Sequence, residues 1–463
     1  MYQNYELDKR LVSCVPSERQ IRQQQMEFYA FVHFTVNTFT NREWGDGTED
    51  EAVFDPKQLD ADQWAAAVKS AGMTGLILTA KHHDGFCLWP SAYTEHSVKN
   101  SPFRNGKGDV VKEAAEACKR AGLRFGVYLS PWDRNCPLYG QGKAYDDYFC
   151  AQLTELLTYY GELFCVWFDG ACGEGPNGKK QVYDWERYYA TVRALQPDAC
   201  ISICGPDVRW CGNEAGVTRE SEWSVVPEKF LLTGDEPPAG ELDEKSADLG
   251  SRELLARAPV LEWKPAETDT SIRPGWFWHK SENKKVKTAR QLADLYLRTV
   301  GGNCMLLLNI PPDTDGLFSP TDVERLGQLG KTIRETFAVN LAADAAFSAT
   351  ADDGVHTADN LREDSYDTYF KTEDGVNTVI VTVSLPEPRK AHIVSIKEDI
   401  RFSQRVERFA VEYRCGKGWK RVYEGATVGY KKYARFRPVT TDALRIVILD
   451  SRVCPVLSHI GVY

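Results

Sequence analysis

Short apolar runs recur along the first 310 residues, and each ends on polar or ionisable positions. FYAFV leads to His33, GLILTAK to His82 and His83, RFGVYLSPWD to Tyr128, Ser130 and Asp133, and the run 163–168 to Asp169. Between the runs, DADQWAAAVKSAG, GDVVKEAAEACKRAG and residues 145–160 repeat apolar positions at helical spacing, with Gly72 and Gly122 placed as left-handed caps before the next strand. The unit returns in WERYYATVRALQPDACISICGP, whose strand should end near residues 204–206, and in TARQLADLYLRTVGGNCMLLLNIPP, ending near Asn309. Parallel barrel strands are buried along their length and deliver functional groups at their C-terminal ends. The pattern therefore predicts an α/β fold, a somewhat irregular (β/α)8-like TIM barrel over residues 1–340 with one functional rim. Residues 225–273 are poorly periodic, and the barrel should be irregular there.

After about Ala338 the texture changes. NTVIVTVSLPE, AHIVSIKEDI, RVERFAVEYRC, WKRVYEGAT, YARFRPV and ALRIVILDS are short β-rich segments between polar turns. They predict a C-terminal β-sandwich over 341–463, acting either as a carbohydrate-binding module or as a structural brace. The boundary is expected between Asn340 and His356.

Composition narrows the partners. The 463 residues, 43% hydrophobic and 26% charged, can bury more than one core, and the net charge of -10 gives no footprint for nucleic acid or an anionic membrane surface. No apolar stretch approaches the roughly 20 residues of a bilayer span, and the first residues have no secretory pattern. The expected location is cytoplasmic, although a secreted or periplasmic chain that had lost a leader would read the same. Thirteen cysteines without a C-x-x-C pair fit free thiols in a reducing compartment, so no thiolate zinc site is expected.

Alternation along a strand puts Trp167 and Asp169 on one face, an aromatic plane beside a carboxylate, which suits a sugar site; the plain alternative is a turn Asp before Gly170. His82 and His83 are adjacent, so a regular strand would point them to opposite faces. A metal site would favour H-x-H, and neither metal nor other cofactor is expected. Glycoside hydrolysis needs a second carboxyl group, for which Asp207, Glu214, Glu220 and Glu222 are candidates. Glu214 lies in a Gly-Asn-Glu-Ala-Gly loop, but the residues alone do not separate it from Glu222.

Five blocks in order, PSERQIRQQQMEFYAFVHFTVNTFTNREWGDGTE, AKHHDGFCLWPS, VYLSPWDRN, VWFDGACGEG and GPDVRWCGNEAG, resemble the α-L-fucosidases of glycoside hydrolase family 29. In particular they resemble its second subfamily, which prefers α-1,3 and α-1,4 fucosyl branches. The resemblance implies a retaining exo-fucosidase acting on branched, Lewis-type glycans through a covalent fucosyl-enzyme intermediate. On this sequence it makes Asp169 the nucleophile and Glu214 the general acid/base. It gives His33, His82 and His83 to fucose hydroxyls, Glu43 and Trp44 to the pocket entrance, and Tyr128 and Trp167 to its wall. Trp276 in IRPGWFWH, or else Trp278, would meet the fucose methyl edge. Trp132 and Asp133 would stand on the rim and read a neighbouring galactose. Cys211 departs from the plainer apolar residue the family implies. A glycosidase for α-L-galactosides and a non-catalytic fucose-binding protein are the alternatives.

Overall fold

The computed structural model describes residues 2–233 and 242–463. Helices α1 (Tyr5–Val12) and α2 (Glu18–Met26) precede strand β1 (Phe28–Val32), after which α3 (Val36–Thr40) and α4 (Ala61–Ser70) lead to β2 (Gly75–Lys81). The alternation continues through α5 (Val110–Ala121), β3 (Arg124–Leu129), α6 (Lys143–Tyr159), β4 (Cys165–Phe168), α7 (Trp185–Leu195) and β5 (Cys200–Ile203). The two-residue β6 (Arg209–Trp210) follows β5 with no helix between them. A ribbon of β7 (Val225–Pro227) and β8 (Leu261–Trp263) encloses α8 (Arg252–Ala256), and β9 (Ala266–Ser271), α9 (Ala289–Thr299), β10 (Cys304–Asn309) and α10 (Pro320–Thr336) complete the unit.

Among the described residues, eight parallel strands pair in the order β5-β4-β3-β2-β1-β10-β9-β6. This is a nearly closed barrel whose seam lies between β5 and β6. The apolar runs behave as expected, with β1, β2 and β10 buried at every position. Helix α5 turns Val110, Val111, Ala114, Ala117 and Cys118 inward and ends at Gly122, whose φ of 70° is the left-handed cap. Each of its buried valines contributes about 1.5–3 kcal/mol. The irregular stretch 225–273 contains the β7/β8 ribbon and α8, and its residues 234–241 lie outside the described residues. It is followed by a surprise: β9 reads AETDTS, yet all six positions are buried.

Seven further strands, β11 (Ala346–Ala349), β12 (Phe370–Lys371), β13 (Val379–Glu398), β14 (Val406–Cys415), β15 (Gly418–Gly425), β16 (Lys432–Ser451) and β17 (Val456–Val462), form an antiparallel C-terminal domain with the sandwich architecture expected. β13 and β16 run for 20 residues each, and their mutual register breaks between Ser384 and Arg389 and again between Ala391 and Ile393. Before the breaks β13 also pairs with β11, and after them with β17. Phe347, Val381, Val383, Ile396, Phe409 and Ile446 belong to a core separate from that of the barrel.

Candidate active site

The C-terminal ends of the barrel strands converge on a cavity of about 440 Å³. Asp169 enters it immediately after β4. Its Oδ1 accepts the backbone N–H of Ala171 at 2.7 Å, and its Oδ2 accepts the Tyr128 hydroxyl at 3.0 Å and lies 3.7 Å from His83 Nε2. The turn role and the rim position are thus both occupied by one carboxylate, whose side chain remains 26% exposed. Trp167 stacks on Tyr128 with ring centroids 5.3 Å apart, and its indole N–H is donated to Glu267 at 2.8 Å.

Both His82 and His83 line the cavity, where a regular strand would have pointed them to opposite faces. The reason is local: β2 is bulged between Thr79 and Lys81 and ends at Lys81, so strand alternation no longer applies. The backbone then turns through Gly85, whose N–H bonds His82 O at 3.1 Å with φ at +83°, and a Cβ there would lie 2.4 Å from Asp133 Oδ1. No L side chain fits that turn.

The network fixes the protons of two histidines. Asn309 Nδ2 donates to Ser271 Oγ (3.0 Å) and Trp276 O (2.8 Å), so its Oδ1 must be the acceptor at 2.8 Å from His33 Nδ1. His33 therefore carries its proton on Nδ1, and burial, opposed by that hydrogen bond, lowers its pKa to about 4. Its Nε2 is a bare acceptor. In the same way Ser130 donates to Trp132 O at 2.7 Å and accepts from His83 Nδ1 at 2.7 Å. Burial lowers the His83 pKa, opposed by the charge of Asp169, so neutral His83 also presents a bare Nε2. Burial and its two histidine neighbours hold His82 well below the usual range. Two uncharged acceptors beside a carboxylate form a surface made for hydroxyl donors. Among the described residues, no group of three or more His, Cys, Asp or Glu side chains is arranged to hold a metal ion.

Glu43 works through a loop: its Oε2 accepts the Trp276 N–H at 2.8 Å, and its Oε1 accepts Phe277 N–H at 3.3 Å and His279 Nε2 at 2.6 Å. It pins Trp276 against His33, ring centroids 5.1 Å apart. Trp276 lines the cavity, whereas Trp278 does not. Trp44 stands 58% exposed at the mouth, edge-on to His83 and Trp132.

The rim expectation for Asp133 is corrected. Asp133 is fully buried, its Oδ2 accepting Lys81 Nζ at 2.9 Å and its Oδ1 the N–H groups of Asn135 and Cys136 at 3.0 and 2.8 Å. A buried lysine needs such a partner, and the carboxylate that supplies it lies below the surface and outside the cavity lining. Trp132 is also buried: it packs on His83 at 4.9 Å and donates to Glu174 O at 3.0 Å, supporting the pocket wall from behind.

Of the four second-carboxyl candidates, only Glu214 lines the cavity, from an exposed loop. Asp207 is buried under Arg19, Arg193 and Ile201 N–H, and Glu222 is buried between Arg209 and Arg219. Among the cavity residues that sequence reasoning missed are Trp210, Glu244, Cys204 and Asp269. Asp269 belongs to β9, whose only sequence signal is the acidic pair Glu267 and Asp269 at strand spacing.

A model of the α-L-fucosidase family matches residues 12–336. "Alpha-L-fucosidase 1" of Arabidopsis thaliana is 40% identical over 457 residues, covering 97% of this chain and 87% of its own. A family 29 glycoside hydrolase from an unknown rumen bacterium has 40% identity and a TM-score of 0.81 over 97% of this chain and 77% of its own. A Ruminococcus gnavus family 29 fucosidase, solved in complex with fucose, has 32% identity and a TM-score of 0.85 over 97% and 95%. With a barrel-end carboxylate, hydroxyl-accepting histidines and this breadth of similarity, the chain belongs to the α-L-fucosidases of glycoside hydrolase family 29.

Proposed function

We propose that the protein is a retaining exo-α-L-fucosidase that removes α-1,3- and α-1,4-linked fucose from branched, Lewis-type glycans. The observation that carries this reading is the sharing of one cavity by Asp169 and Glu214. Asp169 attacks the anomeric carbon, while Glu214 protonates the departing glycosidic oxygen and later deprotonates the water that frees fucose. Tyr128, by donating to Asp169 Oδ2, holds the carboxylate in one orientation for that attack. The Nε2 atoms of His33 and His83 accept hydrogen bonds from hydroxyls of the sugar, Trp167 and Trp276 line its apolar side, and Glu43 fixes Trp276. The fucose held by the Ruminococcus gnavus relative supports the sugar. The open indole of Trp44 supports a neighbouring sugar beyond the pocket, since an exposed flat ring at a mouth offers a stacking face.

The test is proton NMR of the first product formed from a Lewis-type trisaccharide and from an α-1,2-linked fucoside. Early α-fucose from the trisaccharide, with the α-1,2 isomer turned over far more slowly, is expected. Early β-fucose would exclude the covalent route, and equal rates on both linkages would exclude the branch preference.

A further inference from the structure

Strand β9 places two carboxyls inside the barrel, and each holds an indole. Glu267 receives Trp167 Nε1 at 2.8 Å, and Asp269 receives Trp210 Nε1 at 2.7 Å. The two tryptophans precede the two functional carboxylates, Trp167 by two residues and Trp210 by four. Glu267 lies outside the cavity lining, but Asp269 faces the same space as Asp169 and Glu214. Only Oδ1 of Asp269 is engaged by Trp210, and Oδ2 takes no side-chain donor among the described residues.

We propose that Asp269 is a positioning residue that keeps the exchangeable proton of the empty pocket and governs when Glu214 carries it. The proposal rests on the reading of Glu214 as acid/base. Two carboxyls around one cavity cannot both ionise cheaply, and the buried one retains the proton. Burial lifts Asp269 well above the usual carboxylate range, Trp210 opposes this, and Glu214, with Glu267 once it ionises, adds to it. The other titratable groups lining the space are Glu43, Glu244 and Asp169, Tyr128 and Cys204, and the neutral imidazoles of His33, His82 and His83, with Lys245 Nζ 5.9 Å over the Trp210 ring. Four carboxyl groups, Glu43, Asp169, Glu214 and Glu244, thus line this space together with Asp269.

Glu214 is open to water while the pocket is empty. A glycan that covers it removes that water and raises its affinity for a proton, so the proton held by Asp269 passes to Glu214. Glu214 then gives it to the glycosidic oxygen as that carbon–oxygen bond breaks and Asp169 forms the glycosyl ester. In the second half, Glu214 takes one proton from the attacking water, and the pair regains the proton it lost. Trp210 keeps Asp269 beside the strand from which the Glu214 loop departs.

Asp269→Asn tests this, because the amide oxygen still accepts the Trp210 N–H but the group cannot hold a proton. The alkaline limb of kcat/KM on a fucosyl disaccharide should move to lower pH by about one unit or more. An activated aryl fucoside needs little protonation, and its profile should hardly move. Trp210→Phe removes a donor that favours charged Asp269, so it should move the same limb to higher pH. An alkaline limb that stays in place in both variants, with losses spread evenly over pH and leaving group, would overturn the proposal and leave Asp269 as packing for Trp210. If circular dichroism shows Asp269→Asn to be unfolded, an unmoved limb in Trp210→Phe alone overturns it. Failure of the Glu214 assignment is separately visible, since Glu214→Gln would then lose equally on good and poor leaving groups.

Discussion

Asp169 divides its oxygens between holding its own turn and facing the cavity, and the first task explains how the second is kept precise in direction. Removing the carboxylate at Asp169→Gly should lower turnover of an aryl fucoside by roughly three orders of magnitude or more, because it takes away the group proposed to form the ester. Added azide should restore part of the rate and give β-fucosyl azide, because the anion enters the vacated space on the nucleophile's face; recovery of the α-azide would remove Asp169 from that role. Asp133 shows the opposite case, a carboxylate spent on structure. Asp133→Ala would strand Lys81, buried beside Gln152 Oε1 at 2.9 Å, and free two backbone N–H groups. Breaking such a buried pair costs about 3–5 kcal/mol. Denaturant unfolding should show that loss, and activity should fall alike on aryl fucoside and trisaccharide. A selective fall on the trisaccharide would restore a rim role to this residue.

At the scale of elements, legibility followed how each strand is satisfied. Strands buried by apolar side chains, such as β1, β2 and β10, announce themselves because burial and hydrophobicity coincide. β9 does not, because Glu267, Thr268 and Asp269 are buried against polar partners, and those partners come from residues up to 238 positions away, as with Tyr29 and Glu267. No local pattern can contain them. His82 and His83 depart from the alternation of a regular strand for a related reason, since the bulge that ends β2 is set by its pairing with β3. Glu267 carries a measurable consequence. Burial, opposed by the hydrogen bonds from Tyr29 and Trp167, raises its pKa from the usual 4.5 to about 7. The native chain then binds that proton more tightly than the unfolded chain, so the contribution is full below the unfolded value and is lost as pH rises through about 7. Glu267→Gln does not titrate. Its amide can accept from Trp167 and donate to Tyr29, whose oxygen already accepts Gln23 Nε2 at 3.0 Å. Its stability relative to the native chain should therefore rise between pH 5 and 8 by up to about 3 kcal/mol, read from denaturation midpoints at the two pH values. A pH-independent difference would show that Glu267 is already ionised at pH 5.

For the whole molecule, the question is whether the C-terminal sheet serves the barrel or sugar, and the joint between them favours the barrel. Asn303, held at φ 61° just before β10, donates from Nδ2 to Glu222 O at 2.8 Å and Gln404 Oε1 at 3.3 Å, and accepts Tyr430 N–H at Oδ1 at 2.8 Å. Gln404 in turn accepts Ser224 N–H at 2.8 Å, and Arg452 lies 3.7 Å over the Trp223 ring. Farther along, Arg252 joins Asp8 of α1 to Asp450 of β16, and Glu27 receives Tyr430 and Lys431. Much of this joint grips residues 219–224, the segment that follows the Glu214 loop, so the sheet steadies the wall on which the acid/base is proposed to sit. Asn303→Ala leaves buried donors and acceptors open and puts alanine in a left-handed conformation, at a combined cost of about 3 kcal/mol or more. Calorimetry should give one transition for the native chain, because unfolding the sheet removes contacts the barrel needs, and the variant should melt earlier, with activity on aryl fucoside and oligosaccharide lost together on warming. Two separate transitions in the native chain, with the barrel's unmoved by Asn303→Ala, would instead describe an independent appended module, and the sheet would then have to be tested for sugar on its own account.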